Sequence, residues 1–142
     1  MKTPLALVVV ALGGAAGTYA RVAVSLVFPD PALAATLAVN LVGALALGFL
    51  LTWLAGGGTQ HDGTRIEGRR RQRARLLLGT GFCGGFTTYS LIALQAASLV
   101  QSGDAPVAVL YCAATVALGA VATMIGIVLA SRRRPDRTPS AS

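Results

Sequence analysis

The sequence GFCGGFTTYS occupies residues 81–90, in the middle of an apolar segment long enough to cross a lipid bilayer. Two adjacent glycines and two adjacent threonines make this stretch a poor helix, because glycine adds backbone entropy and threonine is β-branched. We therefore expect the helix to break here. In lipid, unpaired backbone groups are costly, so such a break persists only where protein buries it or where it lines a wet pathway. The stretch predicts a ligand, such as an ion, at this position.

The composition around this stretch is that of an integral membrane protein. Of the 142 residues, 54% are hydrophobic and only 12% are charged, whereas a soluble domain carries about 25% charged residues. Four segments are long enough to span, since a transmembrane helix needs about 20 residues; they are 5–28, 33–54, 76–100 and 105–130. The sequence thus predicts an all-α membrane protein with one four-helix transmembrane domain, residues 1–131.

No segment resembles a nucleotide-binding loop, a metal-ligand spacing or a nucleophile elbow. Cys83 and Cys112 both fall inside spans, where cysteine behaves as a small apolar residue. A domain of four short spans also leaves no room for a soluble catalytic domain. We therefore expect that the protein is not an enzyme, and that it binds or transports a solute.

The first span carries two features. Gly13 and Gly17 stand four residues apart, a spacing that lets two membrane helices approach closely. Arg21 is the one charged residue within any span, and an intramembrane charge is by default a functional hypothesis. It lies about two turns from the end of its segment, so the alternative is that its side chain extends to the interface.

Polar residues in the second and fourth spans also have two interpretations. Thr36, Asn40 and Gly43 fall on one face at 100° per residue, which places a hydroxyl, an amide and a gap side by side. The Asn40 amide either forms a hydrogen bond to a neighbouring helix or donates to an ion along a path. Tyr111 and Thr115 share a face as well, and they form either a polar track or, for the tyrosine, an interfacial anchor.

Residues 56–75 form a polar loop rich in arginine, at Arg65, Arg69, Arg70, Arg71, Arg73 and Arg75. A basic run can bind nucleic acid. This one lacks interleaved aromatic residues and lies between two membrane spans, so lipid head groups and membrane topology explain it better, and no nucleic acid partner is expected. His61 in the same loop is expected to be solvated. The tail, 132–142, is basic and then rich in proline and serine, and we expect it to be disordered.

Three motifs in order on four short spans resemble those of the Fluc (CrcB) family of bacterial fluoride channels. They are GGAAGTYAR at 13–21, TLAVNLVG at 36–43 and GFCGGFTTYS at 81–90. The resemblance covers nearly the whole chain. It implies four-helix subunits that form an antiparallel dimer, a third helix broken near its centre, a structural sodium ion at the dimer centre, and two pores that pass fluoride out of the cell.

The resemblance also implies roles for individual residues. The backbone carbonyls of Gly84 and Thr87 would bind the sodium ion. Asn40 would donate a hydrogen bond to fluoride, and Arg21 would correspond to the arginine of the family's first helix. A sodium ion held by neutral carbonyls leaves a net positive centre, which ties two subunits together and attracts an anion.

Physical chemistry agrees with a fluoride pathway lined by hydrogen-bond donors. Fluoride is small and strongly hydrated, so a selective path replaces its water with donors while avoiding a fixed charge that would trap the ion. Asn40, Thr88, Ser90 and Thr115 supply such donors. Aromatic ring edges contact anions as well, because the ring quadrupole is positive at its edge.

The sequence departs from the family after the central motif. Where the family continues TTFSTFS, followed two residues later by glutamate, this chain reads TTYSLIALQ. Tyr89 and Ile92 replace the two phenylalanines, Leu91 replaces the threonine, and Gln95 replaces the acid. Ile92 has no positive edge to offer fluoride, so a pore lined by it is expected to conduct poorly. The sequence leaves open whether the Tyr89 hydroxyl donates to the ion.

The charge distribution predicts one orientation in the bacterial inner membrane. With four spans, Lys2, the middle loop and the tail share one side and hold every lysine and arginine except Arg21, while Asp30 and Asp104 lie on the other side. The positive-inside rule then places both termini in the cytoplasm. An antiparallel homodimer needs nearly balanced loop charge, so we expect one half of a heterodimer with an oppositely oriented subunit, with a homodimer as the alternative. The alternative is a non-conducting assembly subunit or a small multidrug-transporter-like dimer; the latter would usually need a carboxylate within a span, and none is present.

Overall fold

The structure, a computed structural model, describes residues 3–28, 32–55 and 65–133, and all regular structure among them is helical. The elements in chain order are α1 (Thr3–Val27), α2 (Ala32–Ala55), α3 (Arg65–Ala74), a π-helical segment (Arg75–Cys83), α4 (Gly84–Phe86), α5 (Ser90–Gln101) and α6 (Ala105–Arg132). Four stretches are long and apolar enough to cross a membrane: Thr3–Val27, Leu33–Ala55, Gly68–Gln101 and Ala105–Arg132. The predicted all-helical fold with four spans is confirmed.

The third span begins earlier than the sequence predicted. Residues 65–75, expected to belong to a loop, are helical and lead directly into the span, because arginine and glutamine are good helix formers. The span covers 34 residues, which corresponds to about 51 Å of helix against a hydrocarbon core of about 30 Å. Its arginine-rich start therefore extends past the hydrocarbon core. His61 and the tail beyond Arg133 lie outside the described residues.

The connection between α5 and α6 is a tight turn. Gly103 has a φ of 91°, a conformation that glycine adopts without steric cost. The N–H of Asp104 donates to the carbonyl of Leu99 at 2.8 Å, which closes the turn. Pro106 lies at the start of α6, where its missing N–H removes no helical bond.

Glycines bring α1 against the third span. Gly13 and Gly17 are both buried. A Cβ on Gly13 would overlap the carbonyl oxygen of Leu77, and one on Gly17 would overlap that of Phe82. The predicted close-packing role of this glycine pair is confirmed.

A second glycine crossing joins α2 to α6. A Cβ on Gly48 would overlap the carbonyl oxygen of Thr123, and a Cβ on Gly126 would overlap that of Leu45. The first span thus packs on the third and the second on the fourth. This arrangement brings Asn40, on α2, to the middle of the third span.

Candidate ion-binding site at the bend of the third span

Helical geometry stops in the middle of the third span. It ends at Phe86, Thr87 is extended with φ −76° and ψ 158°, and the helix resumes at Ser90. The span bends by 16°. The structure thus describes a bent third span with three non-helical residues, and the fully broken helix stays a prediction.

The upstream end of this interruption is closed by Thr87. Both its N–H, at 3.0 Å, and its hydroxyl, at 2.8 Å, donate to the carbonyl of Cys83. The Thr87 methyl group lies against Gly43, where a Cβ would overlap it. The gap predicted beside Asn40 is therefore occupied by Thr87.

Asn40 binds both backbone groups of Thr88. The N–H of Thr88 donates to Oδ1 of Asn40 at 2.7 Å, and Nδ2 of Asn40 donates to the carbonyl of Thr88 at 3.0 Å. Thr88 is buried, with 7% of its surface exposed. The amide of Asn40 thus gives the Thr88 N–H and carbonyl the hydrogen-bond partners that a continuous helix would otherwise provide. One of its two amide hydrogens remains for another acceptor.

The side chain of Thr88 starts the downstream helix. The N–H of Leu91 donates to the Thr88 hydroxyl oxygen at 3.3 Å, as at a helix N-cap. The hydroxyls of Thr88 and Ser90 lie 3.3 Å apart and share a hydrogen bond. Two of the predicted fluoride donors are therefore in contact.

These hydrogen bonds release two carbonyl groups from the helix. In an uninterrupted helix, the N–H of Thr88 would bind the carbonyl of Gly84, and the N–H of Leu91 would bind the carbonyl of Thr87. Here the first N–H binds Asn40 and the second binds the Thr88 hydroxyl. Gly84 and Thr87 are the two residues whose carbonyls the family resemblance assigns to sodium. Neutral carbonyl oxygens at an interrupted membrane helix are the ligand type that sodium takes in such proteins, so the donor set fits the ion.

Arg21 contacts the same region from α1. Its Nε donates to the carbonyl of Gly85 at 3.3 Å, and the hydroxyl of Thr18 donates to that oxygen at 3.4 Å. Gly85 lies against Gly14, whose carbonyl a Cβ would overlap. The Nε of Arg21 is therefore directed at the bend of the third span, and a functional role of this residue stays a prediction.

A second polar cluster links three helices through Gln95. The Tyr111 hydroxyl donates to Oε1 of Gln95 at 2.7 Å, and Nε2 of Gln95 donates to the hydroxyl of Thr36 at 3.0 Å. The Thr115 hydroxyl donates to the carbonyl of Tyr111 at 2.8 Å, within α6. These contacts favour the polar-track interpretation of Tyr111. The Thr115 hydroxyl was predicted to donate to the ion, but here it donates to a carbonyl of its own helix.

Sequence reasoning did not assign Gln95 to the site. The available signal was an amide in an otherwise apolar stretch of the third span, but the sequence does not show which helix it meets. Its partners lie 59 and 16 residues away. The structure makes Gln95 the link between α2 and α6.

Several other predicted site residues are exposed or only half-buried. Tyr89 is 82% exposed, Gly84 and Ser90 are also exposed, and Ile92 is half-buried. A Cβ added at Gly84 would have no neighbouring heavy atom within 4 Å, apart from the backbone of its own helix. The bend of the span thus presents one open face on the described chain.

Comparisons with known proteins agree on one family. A family model described as CrcB-like protein, Camphor Resistance (CrcB), matches residues 8–127. The fluoride-specific ion channel FluC 2 of Leifsonia xyli is 42% identical over 125 residues, covering 87% of this chain and 81% of the relative. The fluoride-specific ion channel FluC of Hyphomonas neptunium is 42% identical over 127 residues, covering 87% and 93%. FluC 1 of Mycobacterium tuberculosis is 37% identical over 128 residues, covering 88% and 89%. The chain therefore belongs to the CrcB family.

Proposed function

We propose that this chain is a subunit of a fluoride-selective channel that lowers cytoplasmic fluoride by passive efflux. The carrying observation is its 42% identity, over most of both chains, to relatives named fluoride-specific ion channels. No aspartate or glutamate lies within a span, so the sequence offers no carboxylate for proton coupling. Efflux would follow the gradient of the ion.

The fluoride pathway is proposed to pass the donors at the bend of the third span. Asn40 keeps one amide hydrogen beyond its bond to the Thr88 backbone, and the hydroxyl of the same Thr88 shares a hydrogen bond with the hydroxyl of Ser90. These donors are neutral, so they can replace water around the anion without trapping it. Tyr111, held by Gln95, would continue the polar route along α6.

A structural sodium ion is proposed at the carbonyls of Gly84 and Thr87. The support is the diversion of both helical N–H donors away from these oxygens. Gly84 is exposed, so its carbonyl could face a second subunit. The cation would supply a positive centre near the pathway of an anion.

A second subunit is proposed to cover the open face. Tyr89 is 82% exposed in the middle of the third span, and a phenol hydroxyl facing lipid would lack a hydrogen-bond partner. The one-sided charge supports insertion with both termini in the cytoplasm. We therefore assign this chain to one half of an antiparallel heterodimer, whose partner supplies the aromatic edge that Ile92 lacks. The numbered names FluC 1 and FluC 2 among the relatives are compatible with paired subunits.

Fluoride release from liposomes tests the proposed channel. Purified protein, alone and together with each other CrcB-family protein that its source genome encodes, is reconstituted into vesicles loaded with potassium fluoride or potassium chloride. With the partner present, opening a potassium pathway should release fluoride and leave chloride trapped. Failure to release fluoride in either preparation would refute the channel and favour a non-conducting assembly subunit.

Orientation and self-sufficiency test the heterodimer. We expect reporters fused to the C-terminus to show cytoplasmic placement alone, because the arginine-rich segments resist translocation. In a cell that lacks fluoride channels, we expect expression of this chain alone to give no protection against fluoride. Expression of both subunits should protect the same cell. Mixed orientation, or full protection by this chain alone, would contradict the heterodimer.

A further inference from the structure

We propose that Asn40 is a positioning residue, which holds the carbonyl of Gly84 out of the helix and open to a cation. The identity of that cation as sodium rests on the proposed function. The hydrogen bonds that Asn40 makes do not rest on it.

The side-chain amide of Asn40 pairs with the backbone of Thr88 as a peptide group of a neighbouring segment would. A side-chain amide carries one acceptor oxygen and an N–H donor group, the same pair that a peptide unit offers. At distances of 2.7 and 3.0 Å, Asn40 pairs this set with the N–H and the carbonyl of a single residue, Thr88. Thr88 is buried among apolar spans, where an unpaired backbone group would be costly.

Without this pairing, a continuous helix would compete with the interrupted form of the third span. The N–H of Thr88 could bind the carbonyl of Gly84 by continuing the helix, because that is its ordinary partner four residues earlier. Closing this bond would withdraw the Gly84 oxygen from a cation. Asn40 therefore selects the interrupted form over the continuous one.

The same amide serves the proposed fluoride pathway, so the two roles need separate measurements. Oδ1 serves positioning, since it accepts from the Thr88 N–H. One amide hydrogen donates to the Thr88 carbonyl, and the other is the one proposed to donate to fluoride. Asn40→Asp retains an acceptor for the Thr88 N–H, which keeps this N–H away from the Gly84 carbonyl, and loses both amide hydrogens, including the one that donates to the Thr88 carbonyl. Asn40→Leu has similar volume and loses both.

The test uses the full-length protein with its partner in lipid nanodiscs. The ¹³C shift of the labelled Gly84 carbonyl reports whether this oxygen accepts an N–H, and it is measured in sodium-free buffer. Melting temperature against sodium concentration reports cation binding. Gln95→Leu is the matched control, because it removes another half-buried amide of the transmembrane domain, and Gln95 has no hydrogen bond to Thr88 among those described.

Asn40→Leu is expected to move the Gly84 carbonyl shift toward its hydrogen-bonded value and to raise the sodium concentration for half-maximal stabilisation by about tenfold or more. Asn40→Asp should keep the Gly84 shift close to that of the unmodified protein, and Gln95→Leu should keep both the shift and the sodium dependence. An unchanged Gly84 shift in Asn40→Leu would overturn the positioning role. A changed shift in a protein that sodium never stabilises would uphold the positioning role and refute sodium as the cation.

Discussion

Asn40→Asp is expected to abolish fluoride movement through the reconstituted channel. A carboxylate here would repel the anion and lose the amide hydrogens that face the carbonyl of Thr88 and the pathway. Two like charges about 4 Å apart repel by on the order of 4 kcal/mol at an effective dielectric constant of 20, which corresponds to roughly a thousandfold in rate. Fluoride efflux from liposomes, measured with a fluoride electrode, gives the rate.

Gln95→Glu is the matched control, since it makes the same amide-to-acid change at another half-buried amide of the transmembrane domain. The family that this chain resembles carries glutamate at this position, and a carboxylate can still accept from the Tyr111 hydroxyl. Its fluoride efflux should stay within about tenfold of the unmodified protein. Equal loss in both variants would mean that Asn40→Asp acts by damaging the fold.

Gly126→Ala is expected to prevent stable folding of the four-helix domain. The added Cβ would overlap the carbonyl oxygen of Leu45 and lie 2.8 Å from the backbone nitrogen of Phe49, so α2 and α6 would have to separate. Overpacking of this kind costs on the order of 1–3 kcal/mol, and more where only backbone can yield. Thermal unfolding in detergent, with the yield of protein that remains monodisperse, measures the effect.

Gly119→Ala, two turns earlier on the same helix, is the comparison. A Cβ at Gly119 meets nothing within 4 Å, and alanine is a better helix former than glycine. This variant should therefore fold as well as the unmodified protein or slightly better. Similar melting temperatures for the two variants would contradict the close contact between α2 and α6.

The fold was predictable from local patterns. Hydropathy sets the four spans, because each must satisfy its own backbone in lipid. The spacing of Gly13 and Gly17 predicted a close crossing. The helix at 65–74 was missed because a charged run carries little hydropathy signal, although its residues favour helix.

The site was predictable only in part, since its contacts join distant segments. Periodicity placed Asn40 and Gly43 on one face, but Asn40 and Thr88 are 48 residues apart, and nothing in either segment names the other. Gln95 escaped for the same reason. Residue types therefore identified the polar groups, whereas the crossing of α2 over the third span decided which of them meet.

Pairing of the first span with the third, and of the second with the fourth, sets an order of events during synthesis. The contact between Thr123 and Ala44 joins residues 79 positions apart, so at about 5–20 residues per second the second span waits roughly 4–16 s for its partner. Membrane helices insert first and associate afterwards. Each span of the nascent chain therefore commits to a direction across the bilayer before either glycine crossing can form. The insertion machinery and the membrane thus decide the side on which the arginines remain. The later association of the helices does not change that orientation.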